Sequence, residues 1–335
     1  MLKSEKPDNL LQIARYFNEH PRDSVKNLLK FCQAHDTLRS YDAIYRALRL
    51  MEENRILLNG NILVKNHKGY NNVHYLVQPE DVDRFMTSLK ENKNSIEIIY
   101  RSRQGKKNVL YIKTTEMTDF RDVTCIERIE WESYTVIFPW KWNSTKLFLR
   151  HVPEDIPFQE SSPPRENLKA HPDFTLTEDI KQLLYWYKVN VRLPDVPIMK
   201  ETRLDHRKVK TLKNKIFANS IVYFPVFLHG VHNYVPLYFS FFTECYTFFM
   251  NLFAENSATS FLVKGRNGKV SLFVNTIRPT WVLRAMEKFE HAGIVQDMLF
   301  FYLQDRWSPL VEDFKSGKIP RKYFWMFGTP KKKSR

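Results

Sequence analysis

The sequence predicts an α+β fold in which one layout occurs twice, and three observations lead there. Segments with helical spacing come in groups of three, and each group is followed by strand-like runs. After the third helix of each group, the strands and remaining helices follow the order β-α-β-β-α-β. A polar stretch rich in Pro, Glu and Ser, from Val152 to Pro172, divides the 335 residues into halves of similar length. Apolar residues make up 43% and charged ones 27%, which excludes a mostly disordered chain. Only nine glycines are present, which leaves few places for phosphate-cradling loops.

In the first half, Asn9 to Asn18 carries Leu10, Leu11, Ile13, Ala14 and Phe17 at helical spacing. Asp23 is the expected N-cap of a second helix reaching about Ala34, with Val25, Leu28, Leu29 and Cys32 inward. Ser40 is expected to cap a third helix whose apolar face is Ile44, Ala47, Leu48 and Met51. In Ile56 to Val64, Asn59-Gly60 signals a two-residue hairpin, and Lys65, His67 and Lys68 then occupy a wing loop. Three helices and a hairpin make a winged helix-turn-helix, here residues 8–78. From 79 to 150 a degenerate ferredoxin-like domain is expected. Counting His74–Val77, just before it, as the first strand, the others are Ser95–Arg101, Val109–Thr114 and Cys125–Phe138, with a helix at Pro79–Glu91 and a stunted one at Met117–Val123.

After a linker at 151–173, the second half repeats the scheme. Thr177 to Lys188 presents Ile180, Leu183, Leu184 and Tyr187, and a short segment Leu193–Lys200 and the turn Glu201–Leu204 follow. Asp205 caps a third helix with Val209, Leu212 and Ile216 inward, and the strand Ile221–Leu228 closes a second winged helix-turn-helix at 174–230. A ferredoxin-like domain at 231–310 then contains strands Tyr234–Thr243, Thr259–Lys264, Lys269–Asn275 and Ile294–Leu303. Its helices are Glu244–Phe253 and Pro279–His291. Tyr234 to Ala254 is apolar and long enough to span a bilayer, but Pro236, central Glu244 and a change of period read as a strand and then a helix. No membrane partner is expected. Cys32, Cys125 and Cys245 are too few and too scattered for a disulfide framework, and the N-terminus lacks a signal-peptide core. Both point to the cytoplasm.

This order resembles the Lrp/AsnC family of transcription regulators. The best local match runs from Ser40 to Ile56, which is similar to the family's recognition helix and the stretch after it, with Asn54-Arg55 where glycine is expected. Leu237 to Leu303 is similar to the family's effector and oligomerisation domain. The resemblance implies a duplicated, tandem member whose βαββαβ domains pair through their sheets, as a homodimer or as a pseudo-dimer within one chain. The turn Gly265-Arg266-Asn267-Gly268 lacks the acid of the amino-acid-sensing members, so no small-molecule effector is named.

Fifty-two Lys and Arg against 37 Asp and Glu leave a net charge of +15, and most of it has an address. Residues 200–215 hold seven bases and two acids, and 315–335 hold eight bases and no acid. On the second unit's third helix, Arg207, Lys210 and Asn214 share an exposed stripe, with Arg203 before the cap and Lys208 beside it. Such a helix enters a major groove, where arginine grips guanine and asparagine grips adenine with two hydrogen bonds each. Arg39, Tyr41, Tyr45 and Arg46 of the first unit, Lys65 and Lys68 of the wing, and Lys331, Lys332 and Lys333 of the basic tail at 311–335 complete the expected contacts with double-stranded DNA. No catalytic, metal or cofactor motif stands out, so the expected protein is a sequence-specific, non-enzymatic regulator without cofactors. The alternative that the resemblance allows is a sirohaem decarboxylase-like enzyme of the same layout, for which His151, His171, His206 and Arg278 are available. A further alternative is an architectural protein that coats DNA without sequence preference.

Overall fold

A computed structural model describes residues 7–35, 37–91, 95–104, 107–120, 123–139 and 166–324. Residues 151–165 of the expected linker and 325–335 of the tail, Lys331 to Lys333 included, lie outside the described residues. The first half runs α1 (Pro7–Glu19), α2 (Val25–Ala34), α3 (Tyr41–Glu53), β1 (Asn61–Val64), β2 (Val73–Pro79), α4 (Val82–Glu91), β3 (Ile96–Gln104), β4 (Lys107–Thr114) and β5 (Val123–Ile137). A short β6 (Glu166–Asn167) precedes α5 (Glu178–Val189), α6 (Asp195–Thr202), α7 (His206–Ala218) and β7 (Ser220–Tyr223). The chain ends with β8 (Val235–Phe242), α8 (Tyr246–Ala254), β9 (Ser260–Gly265), β10 (Lys269–Thr276), α9 (Pro279–His291), β11 (Gln296–Tyr302), β12 (Gln304–Trp307) and α10 (Pro309–Lys315). The fold is α+β: two winged helix-turn-helix modules, each followed by a ferredoxin-like set, the first of them degenerate. The expected helix near Met117 is absent among the described residues, where 115–120 run as bends and extended chain. No helix among them is long and apolar enough to cross a membrane.

The chain divides into two compact units. One gathers both helix-turn-helix modules from 1–64, 173–231 and 313–335. Four of its helices, α2, α3, α5 and α7, start where a short polar side chain satisfies an orphan N–H group. Ser40 accepts from Ala43 N at 3.2 Å, and Asp205 from Lys208 N at 2.8 Å. Ser24 rather than Asp23 caps α2, accepting from Asn27 N at 3.2 Å. Asp23 is held instead by the Tyr16 hydroxyl at 2.5 Å.

The modules are joined strand to strand. β1 pairs antiparallel with β7, Asn61 opposite Tyr223 and Val64 opposite Ser220, and Leu57 bridges to Val226. Asn59-Gly60 therefore does not turn a hairpin, and Lys65, His67 and Lys68 are no part of a wing. They form a tight loop in the other unit, where His67 bridges to Tyr70. The Asn18 amide donates to Phe224 O at 3.1 Å and its oxygen accepts from Phe224 N at 2.9 Å. Arg192 donates to Pro21 O at 3.0 Å and Asp23 O at 2.7 Å, with its guanidinium 4.7 Å from the Phe17 ring centre. Burial pulls the Arg192 pKa down to about 10, against the opposing pull of Asp23.

The second unit gathers both ferredoxin-like sets from 65–172 and 232–312. Its sheet runs β11-β8-β10-β9-β5-β2-β4-β3-β12, with β6 beside β5. The halves meet where β5 pairs with β9, Tyr134 opposite Val263 and Ile137 opposite Ser260, and again where β12 pairs with β3. The two ends of the path, β11 and β12, are consecutive stretches of chain, so the sheet closes on itself. Alternation along each strand sends one set of side chains outward to helices and the other inward. Phe239, Phe241, Leu272 and Val274 pack under α8 and α9 with Phe249 and Phe289, while Tyr75, Val77 and Ile112 pack under α4 with Leu89. Leu76, Tyr111, Tyr238, Phe301 and Leu303 fill the interior.

The junction of the two helix-turn-helix modules depends on Gly60. A Cβ there would fall 2.4 Å from Val191 Cγ1 and 2.8 Å from Phe224 Cζ. Gly60→Ala is expected to destabilise the protein by about 1–3 kcal/mol through overpacking. In a double-mutant cycle read by thermal or urea unfolding, Val191→Ala should recover part of that loss; strict additivity would show that the close approach does not matter.

Candidate functional sites: the third helices and a buried polar chain

α7 has thirteen residues and no acid. Arg203, Arg207, Lys210 and Asn214 are exposed, and among the described residues none of the three cations makes an ion pair. Arg203 closes α6 in the left-handed region at φ 58°, two residues before the Asp205 cap. Lys208 is less available than the sequence suggests, since it pairs with Asp179 of α5 at 2.8 Å. Lys213 is likewise tied to Asp195 of α6. These pairs pin α7 to its neighbours through the side of the helix, and the stripe Arg207–Lys210–Asn214 stays open.

The equivalent helix α3 differs in chemistry. Tyr41 and Tyr45 stand one turn apart and are exposed, at 43% and 48%. Arg46 is exposed beside them, Arg39 lies before the Ser40 cap, and Arg49 is paired with Glu53 at 2.6 Å. Of the expected wing residues, Lys68 is exposed and Lys65 half-buried, both in the sheet unit. His171 and Arg278 belong to that unit and His206 to the helical one, while His151 lies outside the described residues.

The sheet unit contains a group that no sequence motif singles out. His74 of β2 is fully buried. The Trp131 indole N–H of β5 donates to its Nδ1 at 2.6 Å, so Nδ1 is the acceptor and Nε2 carries the proton. Nε2 meets the Tyr238 hydroxyl of β8 at 2.8 Å and Ser271 Oγ of β10 at 3.2 Å. Tyr238 in turn donates to Glu127 Oε2 at 3.1 Å, and Lys269 holds Glu127 Oε1 at 2.8 Å. Next to this chain Lys113 of β4 is paired with Glu97, which also accepts from Tyr70 at 3.1 Å. Burial, and then the charge of Lys113, push the His74 imidazole down to about 3. Burial and the Glu127 carboxylate drive the Tyr238 hydroxyl well above its ordinary value. At neutral pH the chain is thus an indole, a neutral imidazole and a neutral phenol ending on a carboxylate–ammonium pair. No motif announces it, because its members lie on four strands from both halves.

The unfolded His74 imidazole titrates near 6.5 and the folded one near 3, so the unfolded chain binds the extra proton as pH falls. Stability linked to His74 is full above about pH 6.5 and declines toward pH 3, by about 2 kcal/mol between pH 6.5 and 5. Urea unfolding across this range should show that slope. His74→Gln should lower stability at pH 7 and flatten the slope, with His67 and His229, whose imidazoles burial also lowers, supplying what remains. An unchanged slope in the variant would remove His74 from the titration.

No protein-family model matches the chain, and no curated protein matches it. Its fold is similar to the crystal structure of the siroheme decarboxylase NirDL in co-complex with an iron-uroporphyrin III analogue. Identity is 10% over 92% of this chain and 97% of that chain, with a TM-score of 0.39. The expectation of a non-enzymatic protein does not stand, because a solved structure to which this fold is similar is that of an enzyme.

Proposed function

We propose that the helical unit binds double-stranded DNA through α7, as a sequence-reading regulator of the kind the resemblance to Lrp/AsnC proteins implies. The observation that carries this reading is the open stripe of Arg207, Lys210 and Asn214 on an acid-free third helix, with Arg203 at its start. In this reading Arg207, in the first turn, reaches a base edge; Lys210 and Arg203 supply phosphate contacts, and Asn214 a further base contact. Tyr41, Tyr45 and Arg46 of α3 form a second, less charged contact. Lys331, Lys332 and Lys333 are assigned nonspecific backbone contacts.

Selection of duplexes from a random pool, followed by anisotropy titration, tests the reading. Arg207→Ala and Lys210→Ala should each weaken binding to the selected duplex, by about fivefold or more for a base contact, without lowering the melting temperature. Deleting 328–335 should weaken selected and random duplexes alike. If full-length protein binds neither, or if both helix variants bind as the parent does, α7 is not a DNA-reading helix.

A second reading concerns the sheet unit and is compatible with the first. Its chain of His74, Tyr238, Glu127 and Lys269 brings titratable groups of both signs into one hydrogen-bonded line. Enzymatic work on a tetrapyrrole, the substrate type of the siroheme decarboxylase, is the activity this reading would assign. Its side chains are mutually engaged and, apart from half-buried Lys269, buried, so a ligand would have to open the sheet interior to reach them. Absorbance titration with an iron-uroporphyrin analogue decides the matter: a saturable Soret shift that His74→Gln abolishes supports it, and a flat titration removes it.

A further inference from the structure

The stripe on α7 does not stop at the end of the helix. Phe217 lies seven residues beyond Lys210 and three beyond Asn214, which at 100° per residue places it within about 20° of the Lys210 direction. Over its ring, 4.3 Å from the centre, sits the guanidinium of Arg22. Arg22 belongs to the other helix-turn-helix module, in the turn between α1 and α2, and it is exposed. Among the described residues it makes no ion pair, while the neighbouring acid Asp23 is occupied by the Tyr16 hydroxyl. A guanidinium stacked on a ring keeps its N–H edge free for an anion, and stacking fixes the direction of that edge.

The geometry points to Arg22 as a phosphate-binding residue of the same DNA surface, supplied across the module junction. This inference rests on the DNA-binding reading of α7 and extends it. Because β1 pairs with β7 and Arg192 holds Pro21 O and Asp23 O, the turn that carries Arg22 is fixed to the second module. The cations Arg203, Arg207, Lys210 and Arg22 then form one line, contributed mostly by one module and finished by the other. The partner this line fits is a duplex whose phosphates flank the groove that α7 enters. Phe217, whose ring also packs edge-on against Tyr187 at 5.1 Å, is a positioning residue: toward the duplex it acts through Arg22.

The test is the salt dependence of duplex binding by the full chain. Replacing one phosphate contact lowers the slope of log K against log salt by about 0.9. Arg22→Ala is expected to show that decrease and a several-fold loss of affinity at fixed salt, equal for selected and random duplexes. Arg22→Gln keeps a planar group over Phe217 without the charge and should show the same slope change, which guards against misfolding of the alanine variant. Phe217→Leu keeps the charge and should retain the parental slope with a smaller loss. An unchanged slope in Arg22→Ala and Arg22→Gln, with Arg207→Ala still weakened, overturns the role of Arg22 alone. A parent protein that binds no duplex overturns it together with the reading of α7.

Discussion

The contact on which the sheet unit depends is the hydrogen bond between His74 and Tyr238, because β2 and β8 come from different halves and are not neighbours in the sheet. It crosses the interior and connects on one side to Trp131 and on the other to Glu127 and Lys269. Trp131 and His74 stand on neighbouring strands, but the bonds from His74 and Glu127 to Tyr238 and from Glu127 to Lys269 join strands that are not neighbours and exist only while the sheet is closed. Removing one leaves a buried donor or acceptor unpaired, at about 1–3 kcal/mol, whereas the same groups in an open sheet would face water. Aromatic packing reinforces the arrangement, with Tyr111 and Phe273 at 5.4 and 5.0 Å from the Tyr238 ring. The two ferredoxin-like sets are therefore one cooperative body, and the polar chain selects the register in which they meet. Gly265 makes the same point sterically, since a Cβ there would fall 2.5 Å from Ile129 Cγ2 of the partner strand.

Local chemistry was legible in the sequence wherever a single turn of chain decides the outcome. Helix spacing and the caps Ser40 and Asp205 placed α3 and α7, and the strand–helix order of the second half was readable because each apolar run switches period at a turn. The apolar stretch from Tyr234 likewise resolves into β8 and α8, broken before Cys245. What escaped is what depends on residues far apart. Asn59-Gly60 carries a strong hairpin signal, yet the strand after it finds β7, some 160 residues later, and the glycine serves close approach to Phe224 and Val191. Lys208 and Lys213 read as free bases because Asp179 and Asp195 sit on other helices. His74 gave no sign, since its partners stand at 131, 238 and 271.

The β1–β7 pairing also changes what the helical unit can offer a ligand. A winged module ordinarily presents a hairpin beside its third helix. Here the two strands that would supply wings complete each other's backbone hydrogen bonds and bury Leu63, Ile221 and Phe224. α1 touches the far module through Phe17 and Phe224, so neither module has a complete core by itself. On the proposed DNA reading, a duplex would meet helices and the turns at the junction rather than wings, and Arg22 is a cation carried by one of those turns.

Fusion of two modules in one chain also frees them from equivalence. In a symmetric homodimer every substitution appears twice, so both third helices must read the same chemistry. Within a single chain α7 collects exposed cations without acids, while α3 keeps a balanced set in which Arg49 is neutralised by Glu53 and tyrosines take the exposed positions. The electrostatic attraction therefore falls on one side of the pair, and α3 is left to contribute surface contact with little charge. Such a pair has no reason to prefer a palindrome. On the proposed DNA reading, the charge set on α7, continued by Arg22 and held by the β1–β7 ribbon, would bring a duplex to the second module first.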